Sequence, residues 1–392
     1  MRTKLLIHYA KDRNGGEFRR IARLSKDSDK VLGSDTVELV FLPIRYLFSL
    51  KGFKKNELGS RLILLPVLFP FTRFLFVKKL NHALAGLFAK YFYNRIKPDV
   101  VWGETLAGNS IAVTIKGPHK YIADFHGASP EESYYYSPNK EHLQYSNTLE
   151  AEVVNKADYL VVQSYAMKHH LIEKYLLQSS DKIVVYHCGV DTILFDYNKT
   201  NRTELRQQLG YSNNDIVFVY AGGTNKWQML DYTLEVFGQV SHCLPNAKCL
   251  MLIQGDISFY ENYCSNNNIK NVRFLSNVPY DKVRDYLSIC DYSWLLREDI
   301  ILNRVASPTK LGEYLSCGLV VVTTDVVNSW DWLDNDKAVI VPLIDPVSAA
   351  HIIKEKIEDY NNLEITKKEM REIAISTLST EKDFKSLSQI AI

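Results

Sequence analysis

The chain has few cysteines, and none of them is spaced for a metal site or a redox motif. Its 392 residues contain six, at positions 188, 243, 249, 264, 290 and 317, without a CxxC pair. Most of them lie inside apolar runs, which is typical of structural thiols in a reducing compartment. The distribution therefore excludes a zinc ribbon and a disulfide scaffold as the basis of the fold.

Several motifs that carry chemistry in other enzymes are also missing. The sequence has no GxxxxGK[ST] loop and no HExxH pair, its second half has no GxGxxG, and no Ser/His/Asp series emerges. These absences weigh against a P-loop NTPase, a zinc protease and a nicotinamide enzyme. The N-terminal run MRTKLLIHYAKDRNGG has too short an apolar part for a signal peptide, so we interpret it as a first strand.

The charge of the chain is balanced in total but not in its distribution. The net charge is +2, with 46% hydrophobic and 23% charged residues, which gives no indication of nucleic-acid binding. Residues 44–98 nevertheless contain eleven Lys or Arg and a single acid, Glu57. The apolar run LILLPVLFPFTRFLFV (62–77) lies in the same segment, but two prolines and an arginine make it a poor membrane span. We therefore expect residues 44–98 to contact an anionic membrane surface. The alternative is a strand and a helix of an ordinary core with lysines on the outside.

Strand-like apolar runs alternate with helix-like stretches along the whole chain, which predicts parallel sheets covered on both faces. Ligands of such sheets bind at the carboxyl ends of the strands. The sequence therefore predicts an α/β fold of two doubly wound, Rossmann-like domains that face each other across a ligand-binding cleft. The twelve predicted strands are 4–10, 36–42, 99–104, 121–127, 159–164, 182–187, 216–223, 248–256, 272–276, 292–296, 319–325 and 338–343.

A polar, turn-rich segment beginning at Asp196 separates the two halves of the chain. We predict an N-terminal domain over residues 1–195, a linker over 196–213 and a C-terminal domain over 214–365. The last predicted segment is a helical one over 366–392.

Two stretches of the first half follow predicted strands and hold candidate functional residues. Gly15 and Gly16 open a strand-to-helix turn, so the backbone there can approach an anion at the start of the next helix. His126, in DFHG (124–127), can donate to an oxyanion or to a sugar hydroxyl. An ordinary turn and a structural histidine are the alternatives.

A corresponding turn opens the second half, in YAGGTNKWQ (220–228). Gly222 and Gly223 clear space there, and Lys226 can reach a phosphate placed over the turn. Trp227 is expected to pack rather than to bind.

The stretch LLREDIILNRVASPTKLGEYLSCG (295–318) holds the largest cluster of candidate residues. Arg297, Arg304 and Lys310 bring three cations to one strand-end loop and helix start, where they would hold a diphosphate. Glu313 lies off the apolar stripe of the helix and could accept hydrogen bonds from vicinal hydroxyls such as those of a ribose. The alternative is a surface loop of solvated charges.

The same stretch also has the local signals of a helix. Ser307 is predicted to cap its start, with Pro308 in the first turn. Leu311, Tyr314 and Leu315 fall on one buried stripe. Gly318 is predicted to end the helix in a left-handed conformation.

The order of these motifs resembles the two-domain glycosyltransferases of the GT-B fold, most closely the retaining family 4 group. The resemblance rests on GGEFRRIARLS, DFHG, EAEVVNKADYLVVQS, VVYHCGVDTILF, VYAGGTNKWQ and REDIILNRVASPTKLGEYLSCGLVVVTTD. It covers residues 1 to about 350, and its form RxDxxxNRxxSPxKxxEYL is similar to the branch that builds bacterial surface polysaccharides. The resemblance implies acceptor binding by residues 1–195, nucleotide-sugar binding by 214–365, and a segment within 366–392 that crosses back to the first domain.

The resemblance also implies roles for single residues. Glu313 matches the acid that binds the nucleotide ribose, and Lys226 lies in the turn that contacts the donor diphosphate. Gly15 and Gly16 match the loop under the donor phosphates, and His126 matches a histidine near the transferred sugar. The predicted catalytic residues are His126, Lys226 and Arg297, and the predicted binding residues are Gly15, Gly16, Gly222, Gly223, Arg304, Ser307, Lys310 and Glu313.

The sequence departs from the family pattern in two places. Val305 stands where the family usually has a second glutamate, which grips the donor sugar. Gly223 and Thr224 stand where an arginine usually follows the glycine turn, and Arg297 or Arg304 is expected to supply the missing charge.

The resulting prediction is a metal-independent glycosyltransferase with no cofactor. It would move a sugar from a nucleotide-diphosphate donor, with a UDP-sugar favoured, to a lipid-linked or growing glycan in polysaccharide biosynthesis. A cytoplasmic enzyme bound peripherally to the inner face of the plasma membrane fits this role.

Three alternatives stay open. A sugar-nucleotide epimerase shares this fold but needs catalytic acids in the first domain and no acceptor surface. An inverting transferase needs a general base, for which His126 or Asp124 could serve. A non-catalytic sugar-nucleotide or glycan-binding partner of a transferase complex would bind nucleotide without turnover.

Overall fold

A computed structural model of the chain describes residues 2–9, 16–43, 61–67, 74–199, 201–326, 337–359 and 363–390. The chain divides into two compact units. The first comprises Met1–His187 together with Phe384–Ile392, and the second comprises Cys188–Asp383.

The first unit is built on a parallel sheet of seven strands in the order β3-β2-β1-β4-β5-β6-β7. Its strands run outward in both directions from the adjacent pair β1 and β4, which makes the sheet doubly wound. The strands are β1 Arg2–Tyr9, β2 Ser34–Pro43, β3 Arg61–Val67, β4 Val100–Glu104, β5 Lys120–Phe125, β6 Tyr159–Val162 and β7 Ile183–Val185.

Six helices belong wholly to the described part of this unit. Two of them begin at side-chain caps, because Asn139 accepts from the His142 N–H and Ser164 from the Met167 N–H. The helices are α1 Gly16–Leu32, α2 Leu75–Ile96, α3 Thr105–Ala112, α4 Ser129–Tyr136, α5 Lys140–Lys156 and α6 Tyr165–Tyr175.

The second unit repeats the same winding with six parallel strands in the order β10-β9-β8-β11-β12-β13. The order reverses between β8 and β11. The strands are β8 Ile216–Gly222, β9 Ala247–Ile253, β10 Val272–Ser276, β11 Tyr292–Leu295, β12 Val320–Thr323 and β13 Ala338–Ile340.

Nine further helices follow in the described second half. The last of them, α15, carries the chain from the second unit back into the first. The helices are α7 Arg202–Gln208, α8 Leu230–Cys243, α9 Ser258–Asn266, α10 Tyr280–Ser288, α11 Ile301–Arg304, α12 Thr309–Ser316, α13 Pro346–Asp359, α14 Leu363–Thr377 and α15 Thr380–Ser386.

The prediction of an α/β fold with two doubly wound sheets is confirmed. Each of the twelve predicted strands overlaps an observed strand. Most of them are short, nearly continuous apolar runs of the kind that is buried on both faces, whereas β10 is an edge strand without a buried residue. The thirteenth strand, β3, lies inside residues 44–98. The backbone of the described part of that segment follows the alternative interpretation, a strand and the helix α2, while residues 44–60 and 68–73 lie outside the described residues. No helix in the described ranges combines the length and hydropathy that a bilayer span requires.

Candidate active site

The carboxyl ends of β8 and β11 form the point in the second unit where the strand order reverses. In open α/β sheets, ligands bind beside such a point. The turn after β8, the loop after β11 and the start of α12 all follow strand ends of this sheet. Most of the candidate residues of the second half lie there.

Gly222 ends β8 in a backbone conformation with φ of 145°, which side-chain-bearing residues rarely adopt. A Cβ atom at this position would collide with the end of the Lys310 side chain. Gly222 therefore makes room for Lys310. Gly223, the next residue, has no comparable conflict, since the atom nearest to an added Cβ lies 3.8 Å away.

Lys310 lies across the turn that follows β8. Its ammonium donates to Tyr220 Oη at 2.9 Å and to Gln228 Oε1 at 2.5 Å, and it lies 4.1 Å from the centre of the Tyr220 ring. Tyr220 in turn donates to the backbone carbonyl of Gly223 at 2.5 Å. Burial, and then the positive charge of Arg297, lower the pKa of Lys310 well below its usual value. The site therefore holds an ammonium whose direct partners are a hydroxyl, an amide and an aromatic ring.

Arg297 is the second cation of this cluster and is only 4% exposed. Its guanidinium lies 4.8 Å from the centre of the Trp227 ring, so the packing role predicted for Trp227 takes the form of a cation–π contact. The Arg297 backbone exchanges two hydrogen bonds with the Thr324 hydroxyl, which fixes the loop after β11. Its Nη1 atom is buried and has no hydrogen-bond partner among the described residues. A buried N–H donor without an acceptor costs free energy, which a bound anion would recover.

Glu313 lies on α12 about one turn after Lys310 and is partly exposed. Its Oε1 accepts a hydrogen bond from Tyr280 Oη at 3.0 Å. The predicted buried stripe of this helix is confirmed, because Leu311, Tyr314 and Leu315 are all at most 1% exposed. Glu313 therefore lies off the buried stripe of α12, on a partly exposed part of the helix.

The end of α12 follows the prediction, but its start does not. Gly318 has φ of 73°, as a left-handed helix terminus requires. Ser307 was predicted to cap the helix, and this was wrong: the helix begins at Thr309 with Pro308 at the cap position. The Ser307 hydroxyl instead accepts a hydrogen bond from the Cys188 backbone N–H at 3.2 Å, which commits its oxygen elsewhere.

Two predicted residues lie apart from the cation pair of Lys310 and Arg297. Arg304 has a 57% exposed side chain and pairs with Asp299, itself 50% exposed, at 2.6 Å. Lys226 is exposed in a short 3₁₀ turn, Lys226–Gln228. The structure therefore brings Lys310 and Arg297 together with Gly222 at the strand ends, and leaves Arg304 at the surface.

In the first unit, His126 follows directly after β5 and contacts two acids. Its Nε2 lies 2.8 Å from Glu104 Oε2 and 2.7 Å from Asp124 Oδ2, and its side chain is 13% exposed. Asp124 is also bound by both terminal nitrogens of Arg20. Gly16 begins α1, the helix that carries Arg20, while Gly15 lies outside the described residues.

Glu104 and Arg20 were not identified from the sequence, although a signal was present. β4 reads VVWGE, an apolar strand that ends on an acid, and Arg20 lies in the quoted motif GGEFRRIARLS. Atoms of Glu104, Asp124 and His126 lie within 4.8 Å of one another and have the chemistry of metal ligands. However, the Arg20 guanidinium donates two hydrogen bonds to Asp124. The negative charge that a metal ion would need from this carboxylate is therefore already neutralised.

Comparison with protein families gives two matches that together cover most of the chain. Residues 48–194 match the family described as Glycosyltransferase Family 4, and residues 201–376 match the family described as Glycosyl transferases group 1. The comparison with curated proteins gave no match.

Solved structures of similar fold cover nearly the whole chain at low sequence identity. Sucrose-phosphate synthase from Thermosynechococcus elongatus superposes with a TM-score of 0.77 at 14% identity, over 99% of this chain and 98% of that one. HepE of Anabaena in complex with UDP gives a TM-score of 0.70 at 15% identity, over 98% of both chains. WaaG, a glycosyltransferase involved in lipopolysaccharide biosynthesis, gives 0.70 at 13%, also over 98% of both.

At these identities the structural likeness establishes the fold, and the family matches establish the class of protein. They favour the transferase over the epimerase and the non-catalytic partner that the sequence left open. The two Rossmann-like units, each wound about its own pair of central strands, agree with the GT-B fold. The chain is therefore a family-4-like, group 1 glycosyltransferase.

Proposed function

We propose that this glycosyltransferase takes its sugar from a nucleoside-diphosphate donor. The observation that carries the proposal is the pair of cations at the ends of β8 and β11, namely Lys310, which is partly buried, and Arg297, which is 4% exposed. Among the described residues, the hydrogen-bond partners of these two side chains include no carboxylate, and Arg297 Nη1 has no hydrogen-bond partner there. A diphosphate supplies the negative charge and the acceptor oxygens that this pair lacks.

The same cations suit the chemistry of transfer. Negative charge develops on the departing diphosphate as the bond to the sugar breaks, and fixed donors aimed at that charge stabilise the transition state. One such donor contributes about 3–4 kcal/mol to the barrier. The proposal therefore assigns leaving-group stabilisation to Lys310 and Arg297, with Lys226 as an outer phosphate contact and Glu313 as the acceptor for the ribose hydroxyls. Because side-chain cations serve the diphosphate, we propose that turnover needs no metal ion.

We propose that transfer retains the anomeric configuration, because neither of the two candidate bases in the described part of the first unit, Asp124 and His126, is ready to take a proton. Arg20 and His126 hold the pKa of Asp124 below its usual range, although burial alone would raise it. His126 sits against that carboxylate and is held as a cation, so neither group is ready to take a proton. An inverting transferase would need one of them to do so. His126 is assigned instead to a contact with the transferred sugar.

The donor and the pathway are proposed from relatives. The HepE structure contains UDP, and a further structure of that protein contains UDP-glucose, which supports a UDP-sugar as donor. WaaG is described as acting in lipopolysaccharide biosynthesis, which supports a lipid-linked or growing glycan as acceptor in polysaccharide biosynthesis.

A peripheral position on the inner face of the plasma membrane, with the enzyme in the cytoplasm, fits such an acceptor. The outward face of α2 supports it. Phe76, Leu80, Leu87 and Tyr91 fall on one stripe of that helix and are 69%, 43%, 63% and 58% exposed. The buried positions opposite include the small residues Ala85, Gly86 and Ala89, which let the helix lie close against its own unit.

The charge of this helix also suits an anionic bilayer. Lys79 and Lys90 are exposed beside the apolar stripe, and the sequence from residue 74 to 98 contains no acid. Apolar side chains that enter the interface, flanked by lysines, bind anionic lipid by two additive effects.

The membrane proposal is tested by sedimentation with vesicles of phosphatidylglycerol or of phosphatidylcholine. We expect binding to the anionic vesicles only, and loss of that binding in Leu87→Glu. The matched control is Ile375→Glu, an exposed apolar position (47%) on α14 in the other unit, which should bind like the wild type. Equal binding of the wild type and Leu87→Glu would exclude α2 as the contact.

The donor proposal is tested by calorimetric titration with UDP, GDP, ADP and CDP in the presence of EDTA. We expect one of them, UDP first, to bind with clear preference. Binding of none at millimolar concentration would refute the assignment of the cation pair to a donor diphosphate, and binding only with added Mg²⁺ would refute metal independence.

A further inference from the structure

Glu104 ends β4 and is a buried acid that neither a motif nor the family resemblance identifies. Its side chain is fully buried, and Oε1 has no hydrogen-bond partner in the part of the chain that is described. The next residue, Thr105, has φ of 57°, which is strained for a β-branched side chain. An unsatisfied buried oxygen and a strained backbone both cost stability, which indicates a role beyond packing.

Glu104 is linked to the proposed chemistry through its contact with His126. Glu104 Oε2 and Asp124 Oδ2 both lie within hydrogen-bond distance of the same imidazole nitrogen, Nε2. Asp124 is fixed in turn by the guanidinium of Arg20 and by Asn109, whose side-chain amide donates to the Asp124 carbonyl at 2.8 Å. The histidine is therefore held by two acids, of which only Asp124 has an arginine partner.

The protonation states in this cluster follow from the charges of its members. Burial, and then the charge of Asp124, raise the pKa of Glu104 to about 8. Burial lowers the proton affinity of His126, but the Asp124 carboxylate outweighs it and raises the pKa of the imidazole to about 9. Lys4, on β1, adds a positive charge within Coulombic range of Glu104. At neutral pH the cluster therefore contains the Arg20 guanidinium, an imidazolium, one carboxylate and one carboxylic acid.

We propose that Glu104 is a positioning residue for His126: its carboxyl group packs against Nε2 beside the Asp124 carboxylate and, together with it, orients the ring. The inference rests on the proposed function only in assigning His126 to the transferred sugar. There the imidazolium contacts a hydroxyl or the departing oxygen. The ring has no lone pair to take a proton, in agreement with retention.

A purely structural role would explain these contacts less well. A whole buried ion pair is often replaceable by well-packed apolar side chains without loss of stability, so stability alone does not require this cluster. Perturbed, mutually dependent titrations at the carboxyl ends of parallel strands are typical of functional sites.

The test is the titration of His126 followed by NMR of the histidine side chains in the full-length protein without nucleotide. The signal is assigned by its absence in His126→Gln. In the wild type we expect His126 to titrate well above an ordinary histidine, with a second inflection from the linked acid. In Glu104→Gln we expect about tenfold weaker proton binding by His126 and loss of the second inflection.

Two comparisons distinguish a positioning role of Glu104 from an effect of the substitution on folding. His82, whose pKa burial lowers to about 4, is remote in sequence on α2 and should titrate identically in the wild type and in Glu104→Gln. Asp124→Asn should weaken proton binding by His126 more than Glu104→Gln does. A single wild-type inflection near pH 6.5, or an unchanged His126 titration in Glu104→Gln, would overturn the proposal even if nucleotide binding by the second unit is found. If Glu104→Gln does not fold, the wild-type titration alone decides between these outcomes.

Discussion

Replacement of Lys310 by methionine should weaken nucleotide binding and stabilise the free protein at the same time. In the absence of a ligand the ammonium lies near Arg297, and its direct partners are Tyr220 and Gln228. It therefore has no compensating negative charge in hydrogen-bond contact among the described residues. Methionine keeps most of the length of the side chain, and Tyr220 and Gln228 keep each other as hydrogen-bond partners.

The two effects differ in sign and in size. A hydrogen bond from a charged donor contributes about 1.5–3 kcal/mol, so its loss should raise the dissociation constant of the nucleoside diphosphate roughly 10- to 150-fold. Removal of a poorly compensated buried cation should raise the free energy of unfolding by about 1–2 kcal/mol.

The pH dependence provides an independent check. In the unfolded chain Lys310 takes its ordinary pKa of 10.5, whereas in the folded chain burial lowers it. Between the lowered value and 10.5 the unfolded state binds more protons, so this residue makes stability rise with pH across that window. A bound diphosphate favours the ammonium, so binding should take up a proton in the same window and strengthen as the pH falls. Lys310→Met should lose both dependences.

Calorimetry in buffers of different ionisation enthalpy measures the affinity and the proton uptake together, and denaturant unfolding measures the stability. The matched control is Lys248→Met, near the start of β9 and so at the opposite end of the same sheet, where Lys248 donates to Asn271 at 3.2 Å. It should change neither quantity. Wild-type affinity in Lys310→Met, or binding by the wild type without proton uptake, would refute the assignment of Lys310 to the diphosphate.

Three further predictions follow from the same cluster. Glu313→Ala should weaken binding of the nucleoside diphosphate at least tenfold but leave inorganic diphosphate binding unchanged, and equal losses for both ligands in calorimetry would contradict a ribose contact. Gly222→Ala should lower the free energy of unfolding by roughly 1–3 kcal/mol, since φ of 145° is strained for alanine and the added Cβ meets Lys310. Gly223→Ala should be tolerated, and chemical denaturation compares the two variants. Arg304→Ala should leave nucleotide affinity and stability unchanged, because its guanidinium is exposed and paired with Asp299, and a marked loss of affinity in calorimetry would show that Arg304 turns to the ligand.

The sheets could be predicted from the sequence because their strands are short apolar runs whose burial depends on composition alone. β11 and β12 are examples, with every residue of both strands buried. β3 was not among the predicted strands because Pro66 interrupts its apolar run, and most of its residues are only partly buried. An edge strand of this kind has one neighbour, so packing constrains its sequence less.

The sequence allowed us to predict which residues form the candidate site, but not which side chains contact each other there. Lys310 and Arg297 were identified because cations follow strand ends, which local sequence shows. Their partners could not be found in this way, because Tyr220 and Gln228 lie about ninety and eighty positions earlier in the chain. The cap prediction at Ser307 was wrong for the same reason, since its hydroxyl is used by a backbone N–H from a distant segment.

Both units place buried cations at the carboxyl ends of their strands, and the partners of those cations distinguish the two sites. Arg20 is neutralised by Asp124 through two hydrogen bonds, so the first unit needs no anionic ligand there. Lys310 and Arg297 have hydroxyl, amide and aromatic partners in the described structure, and one guanidinium nitrogen is unsatisfied. An anion therefore gains more in the second unit than in the first, which supports our proposal that the donor diphosphate binds at Lys310 and the neutral sugar at His126.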